Sequence, residues 1–155
     1  MHIRTFREDD LIELHSMICS TIEQCYRDVY SQETVDFFRE YHSENNIRTD
    51  ASLGQTIVAV HNGSIVGSGT ILGNNIRRVF VLPDQQGKGI GGRIMTDLEQ
   101  KARQGRLNVV ELDSSIVSVD FYHRLGYEGD CRAFIELENG ERLDYVPMAK
   151  NIQLR

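Results

Sequence analysis

The run Val79-Phe80-Val81-Leu82-Pro83-Asp84-Gln85-Gln86-Gly87-Lys88-Gly89-Ile90-Gly91-Gly92 allows few folds, because an apolar stretch, a turn and a glycine cluster stand directly before a helical pattern. Val79 to Leu82 are β-branched, aromatic or aliphatic and fit a buried strand. Pro83 ends that strand's ladder, having no N–H to donate. Ile90, Ile94, Met95, Leu98 and Ala102 then recur at helical spacing, which puts the glycines on a helix's first turn. Such a turn offers unpaired backbone N–H groups and the positive end of the helix dipole, and glycine lets a phosphate approach with no Cβ in the way. Lys88 adds a cation. The stretch asks for a phosphorylated ligand such as a diphosphate.

Two phosphate loops compete for these letters. The loop of nucleotide hydrolases needs a Lys followed by Ser or Thr, and Lys88 is followed by Gly89. The dinucleotide pattern G-x-G-x-x-G is met by Gly87, Gly89 and Gly92, with Asp113 near the place of the ribose-binding acid. In that fold, however, the glycines follow the strand directly and open the domain. Here Pro83 to Gln86 intervene, and only roughly forty residues follow Asp113, too few for the remaining βα units.

The rest of the chain adds a meander before the loop. His2 to Phe6 reads as a strand, and Asp9 or Asp10 caps a helix, with Glu13 in capping-box position. Leu11, Leu14, Ile18, Ile22, Cys25 and Val29 keep one face apolar to about Tyr30, with a break near Tyr26. Ser31 restarts a helix carrying Val35, Phe38 and Tyr41, and Ser43 to Gln55 is polar, aperiodic and loop-like. Thr56 to His61 and Ser64 to Leu72 form a hairpin around Asn62-Gly63, and Gly73-Asn74-Asn75 turns into Ile76 to Leu82. After the central helix, Gly105 suits the C′ position. Val109 to Asp113 is a strand reached by a helical crossover, hence parallel to its partner. Ser118 to Leu125 is a short helix, and Cys131 to Glu138 and Glu141 to Lys150 form a last hairpin around Asn139-Gly140.

At 155 residues, the chain 1–155 is expected to be a single domain with its own core. A net charge of -6 argues against a nucleic-acid surface, which wants a clustered basic face. Cys19, Cys25 and Cys131 are odd in number and lack metal-ligand spacing, so reduced thiols and no metal are expected. No apolar run approaches membrane-spanning length and the first residues lack a signal segment, which predicts a cytoplasmic protein without membrane contact.

The glycine stretch resembles the pyrophosphate-binding motif of the GNAT superfamily of N-acetyltransferases, Gln/Arg-x-x-Gly-x-Gly/Ala, through Gln86, Gly89 and Gly91. A second string, Phe121-Tyr122-His123-Arg124-Leu125-Gly126-Tyr127, resembles the family's Phe-Tyr-x-Lys/Arg-x-Gly-Phe/Tyr signature, and Tyr145 to Lys150 looks like its last strand. The resemblance implies an α/β (α+β) fold: a mixed, mostly antiparallel sheet, helices on both faces, and a splayed parallel pair of central strands. It implies an N-acetyltransferase that moves an acetyl group from acetyl-CoA to a primary amine, with no metal.

By the same resemblance, the amides of Gln86, Gly87, Lys88, Gly89, Ile90, Gly91 and Gly92 would take the pyrophosphate. Val79 would bond the acetyl oxygen, Val81 the pantetheine, Ser115 would lie on the coenzyme, and Tyr122 would protonate the leaving sulfur. Tyr26, Tyr30, Phe37, Phe38 and Tyr41 read either as the core of a helical hairpin or as an acceptor-site wall. The sequence departs from the family at Ser115, where Asn is common, and at Ser118, where Ala is common. Asn75-Ile76-Arg77-Arg78 also lacks the Glu that many members use to activate the amine. Arg77 and Arg78 then either line the acceptor cleft or form a solvated strand end, and the base is left among water, His123 and Glu111. An acyl-CoA sensor without transferase activity is the competing reading. The acceptor and a homodimer are left open.

Overall fold

The computed structural model describes residues 1–153. Among them run β1 (His2–Thr5), α1 (Leu11–Tyr26), α2 (Gln32–Tyr41), α3 (Glu44–Leu53), β2 (Gln55–His61), β3 (Ser64–Leu72) and β4 (Asn75–Val81). The second half adds α4 (Ile90–Gln104), β5 (Val109–Ser115), α5 (Val119–Arg124), β6 (Ala133–Glu136) and β7 (Arg142–Asn151). The strands make one sheet in the order β1-β2-β3-β4-β5-β7-β6. Every neighbouring pair is antiparallel except β4 and β5, which are parallel and meet only where Asn75 stands level with Glu111. Beyond that register the two strands part, as the splayed pair requires. Asn62 and Gly63 both take positive φ, 52° and 78°, the geometry of a two-residue hairpin turn that matches strand twist.

Alternation along the strands divides the core. In β2, Ile57 and Ala59 pack on one side with Ile90, Ile94 and Leu98 of α4, while Val58 and Val60 pack on the other with Leu14, Ile18 and Ile22 of α1. Helices therefore cover both faces. In β4, Ile76 belongs to the α4 side, and strict alternation would send Phe80 there too. Phe80 instead joins the α1 side, because Arg78 and Val79 together oppose the single residue between Ser68 and Thr70 of β3. This is a β-bulge. Arg78 carries it with a φ of 56°, and the extra residue resets which side chains face which helices.

Three local expectations are corrected. Asp10 does not cap α1: its carboxylate accepts the Arg7 amide at 2.8 Å and two bonds from Arg4 at 2.8 and 2.9 Å, closing the 3-10 turn Glu8–Asp10 that precedes the helix. Ser43 to Gln55 is not a loop, since α3 fills most of it. Ser43 caps α3 by accepting the Asn46 amide at 3.2 Å, and its one buried residue, Ile47, is too sparse an apolar signal to show a period. At the end of α4 the left-handed C′ residue is Arg106, with φ 62°, rather than Gly105, with φ -81°. Leu107 N–H reaches Ala102 O at 3.0 Å and Arg106 N–H reaches Arg103 O at 2.9 Å, the paired bonds of a Schellman cap.

Candidate active site

Where β4 and β5 separate, the glycine loop and α5 close one side of the gap. Gln86 donates its side-chain amide to Val81 O at 2.9 Å, tying the loop back to the strand. Gly89 is the N-cap of α4 with φ 83°, a left-handed conformation that glycine adopts freely. The first N–H of α4 to find a helical carbonyl is that of Arg93, on Gly89 O at 3.1 Å, so the amides of Ile90, Gly91 and Gly92 have no carbonyl a turn behind them. A Cβ on Gly87, Gly89 or Gly92 would meet nothing within 4 Å, whereas one on Gly91 would come within 3.0 Å of the Phe121 ring. Gly91 is thus demanded by the packing of α5 as well as by any ligand.

A cavity of about 720 Å³ runs along this loop and is bounded by Val79, Val81, Gln86, Gly87, Gly89, Ile90, Gly91, Gly92 and Tyr122. A second cavity, of about 340 Å³, lies on the α1 side of the sheet between α2 and the β6–β7 hairpin. Tyr26, Val79, Phe80, Ser118 and Tyr122 line both, so the two cavities share a wall at the bulge. Two of the expected coenzyme residues, Lys88 and Ser115, are not on the wall of the larger cavity. Lys88 is exposed between left-handed Gly87 and Gly89, its Nζ 3.4 Å from Gln85 Oε1, and it borders neither cavity. Ser115 borders only the smaller cavity, because alternation in β5 turns it toward α1; its Oγ stands 3.4 Å from the Tyr26 hydroxyl and 3.2 Å from Ser118 Oγ.

Tyr122 is 8% exposed and packs edge-on against Phe121 and Tyr127. Burial, and the neighbouring Tyr26 phenol, push its hydroxyl well above the usual tyrosine range, so it stays protonated. Tyr26 is pushed up to about 12 by burial, an effect its bond to Ser115 opposes.

The smaller cavity settles the two arginines. Arg78 is buried: its Nε donates to His42 Nδ1 at 3.0 Å and its Nη1 to Asp50 at 2.9 Å. A solvated strand end is therefore excluded for it. Because arginine can only donate, His42 must accept on Nδ1 and carry its proton on Nε2. Burial, then the Arg78 charge, push His42 down to about 3, so it is neutral. Arg77 gives its Nε to Asn75 at 2.8 Å and lies 3.5 Å from Asp50.

Tyr26, Phe37, Phe38 and Tyr41 do line this cavity, while Tyr30 supports Tyr26 and Phe38 from behind through edge contacts. His123 and Glu111 border neither cavity. His123 is engaged by Gly129 O at 3.2 Å and Asp130 at 3.3 Å. Two carboxylates do border the smaller cavity, Asp144 of β7 and Asp113, two residues past Glu111. From the sequence Asp113 suggests only a ribose contact; its place on the β5 face opposite the buried Val110 and Leu112 is the signal that turns it toward this cavity. His42 and Asp50 gave none, since both belong to the stretch around α3 that carries no period. Among the described residues no His, Cys, Asp and Glu group suits a metal, and no helix is long and apolar enough to cross a membrane.

The family model for the acetyltransferase (GNAT) domain matches residues 26–152. No curated protein is found to match the sequence. A GCN5-related N-acetyltransferase from Rhodopseudomonas palustris superposes with a TM-score of 0.88 at 25% identity, over 97% of this chain and 94% of its own. PaiA N-acetyltransferase from Thermoplasma acidophilum, solved in complex with coenzyme A, gives 0.75 at 19% identity over 97% and 98%. YncA, a putative acetyltransferase from Salmonella typhimurium solved with acetyl-CoA, gives 0.69 at 18% identity over 100% and 95%. At such identities the last two share the fold.

Proposed function

The chain belongs to the GNAT acetyltransferases, and from that premise we propose that it transfers the acetyl group of acetyl-CoA to a primary amine bound in the smaller cavity. The observation that carries this reading is the meeting of two cavities at Tyr122 and the bulged Val79, one edged by free helix amides and the other by an acidic and aromatic wall. The amides of Ile90, Gly91 and Gly92, unpaired at the start of α4, receive the pyrophosphate, and the presence of coenzyme A and acetyl-CoA in the two structures of the same fold supports such a ligand. Acetyl-CoA supplies the activated carbonyl. The bulge frees β4 backbone from regular pairing beside the shared wall, where the Val79 amide serves the developing oxyanion.

Bond changes follow from the positions. The ammonium loses one proton, its nitrogen attacks the thioester carbon, and the C–N bond forms as the C–S bond breaks. A second proton leaves nitrogen as the amide forms. Tyr122 donates its proton to the departing sulfur and regains one from the cleft, so that one proton ends on the thiol and one in solvent. The buried phenol is a weak acid, which suits it to share its proton with the sulfur while the bond breaks rather than to release it beforehand.

Coenzyme A should raise the melting temperature by mass action, and Gly89→Glu should abolish that shift by placing a carboxylate where the phosphate goes. Thiol release on mixing acetyl-CoA with a panel of amines tests the transfer itself. Coenzyme binding with no turnover on any amine would select the sensor reading.

A further inference from the structure

Resting on the acetyl-transfer reading above, we propose that the smaller cavity takes a free α-amino acid with an apolar side chain, its ammonium at Asp113 and its carboxylate at Arg77. Asn75 is level with Glu111 across the parallel pair, so one strand step on, Arg77 stands level with Asp113 on the same face. Both border the cavity. They carry opposite charges and yet form no ion pair with each other among the described residues. Arg77 is held instead by Asn75 at 2.8 Å and lies 3.5 Å from Asp50.

Asp50 is already committed to the buried Arg78 at 2.9 Å, so two guanidinium groups share one carboxylate and one positive charge is left over. Asp144, the other carboxylate on the cavity, is answered by Arg142 at 2.7 Å and Arg132 at 3.6 Å. Asp113 has no such partner within 4.0 Å among the described residues, and the splay of β4 from β5 keeps it from closing on Arg77. One surplus cation and one surplus anion therefore face a common space. A zwitterion satisfies both; an amine without a carboxylate leaves Arg77 unanswered, and so does a peptide N-terminus, whose carboxyl is spent in the amide bond.

The remaining wall supports the rest of the molecule. Phe37, Tyr41, Ile135 and Leu143 offer apolar surface to a side chain. A volume of about 340 Å³ is near the lower end for ligand sites, which fits a single small acceptor. Along β5 the next residue on this face is Ser115, whose Oγ stands 3.2 Å from Ser118 Oγ on the shared wall, so the Asp113 backbone lies roughly 7 Å of strand from the wall where the acetyl group is delivered. That distance is spanned by the aspartate side chain and one hydrogen bond.

The test is a matched set of acceptors of one shape: leucine, leucinamide and 3-methylbutylamine, each assayed with acetyl-CoA by thiol release and compared per neutral amine. Leucine should exceed both others in kcat/KM by about tenfold or more, the usual scale of a charge-assisted contact. Arg77→Met should erase that ratio, chiefly through the KM for leucine. Arg77 is half-buried at the cavity edge, and the thermal shift given by coenzyme A, whose loop is remote from it, reports that the variant is folded. Equal or better turnover of the uncharged-tail amines overturns the inference and leaves acetyl transfer standing. So does a leucine preference that survives in Arg77→Met. Turnover of none of the three while coenzyme A still binds also overturns it. Absence of coenzyme binding removes the functional reading itself, and the inference with it.

Discussion

At Tyr122 packing meets the proposed chemistry, because its ring is held by Phe121 and Tyr127 while the residue lines both cavities. Tyr122→Phe keeps the ring and removes the donor, so kcat should fall by roughly 10² to 10⁴-fold with coenzyme affinity nearly unchanged. Retention of full turnover while chemistry limits the rate would make Tyr122 a packing residue. His42 is the other residue whose protonation matters. Its unfolded value is near 6.5 and its folded value about 3, so the folded state binds fewer protons between those limits. Stability is therefore complete above about pH 6.5 and declines as pH falls toward 3, at a limiting slope of about 1.4 kcal/mol per pH unit. His42→Gln, which can still accept from Arg78, should flatten the decline between about pH 6 and 4 in urea titrations. Asp10, whose carboxyl is lowered first by its bond to Arg4, contributes only to a later loss, below about pH 4.

At the level of elements, the most informative positions are those where a local preference is overridden. The C′ position of α4 needs a left-handed residue, and the chain puts Arg106 there one place after Gly105. The Schellman bonds and the half-buried Leu107 behind them select the register, so the arginine bears the backbone strain. Arg106→Gly should raise stability by about 1 kcal/mol, read from the denaturation midpoint at an unchanged m-value. A loss of stability would mean that the arginine side chain contributes more than its strain costs. The bulge in β4 is a second override. Val79 to Leu82 announce a strand, but the insertion at Arg78 depends on β3 pairing on either side of it and on an internal site built by His42 and Asp50. The helix α3 that brings Asp50 there buries Ile47 and otherwise holds to the rest of the fold through ion pairs of Arg48 and Asp50, which explains both its invisibility to periodicity and its dependence on the sheet.

Over the whole molecule, what could be read without coordinates was whatever depends on residues near one another along the chain. The Asn62-Gly63 hairpin, the stop at Pro83, the glycine turn into α4 and the Phe121 to Tyr127 string each carry local steric or hydrogen-bonding rules, and together they specified the sheet, its parallel pair and the likeness to acetyltransferases. Tertiary structure alone decided what depends on faces and on charge balance. Strand alternation put Ser115 on the smaller cavity and brought Asp113 into the gap, a bulge reversed the phase of β4, and the course of the loop left Lys88 exposed. Arg77 and Arg78 are neighbours in sequence, yet one is sealed against His42 and Asp50 while the other edges an open cavity. No local rule separates them, because burial and pairing are set by residues more than twenty-five positions away, and their energies exist only once the sheet has brought those residues together.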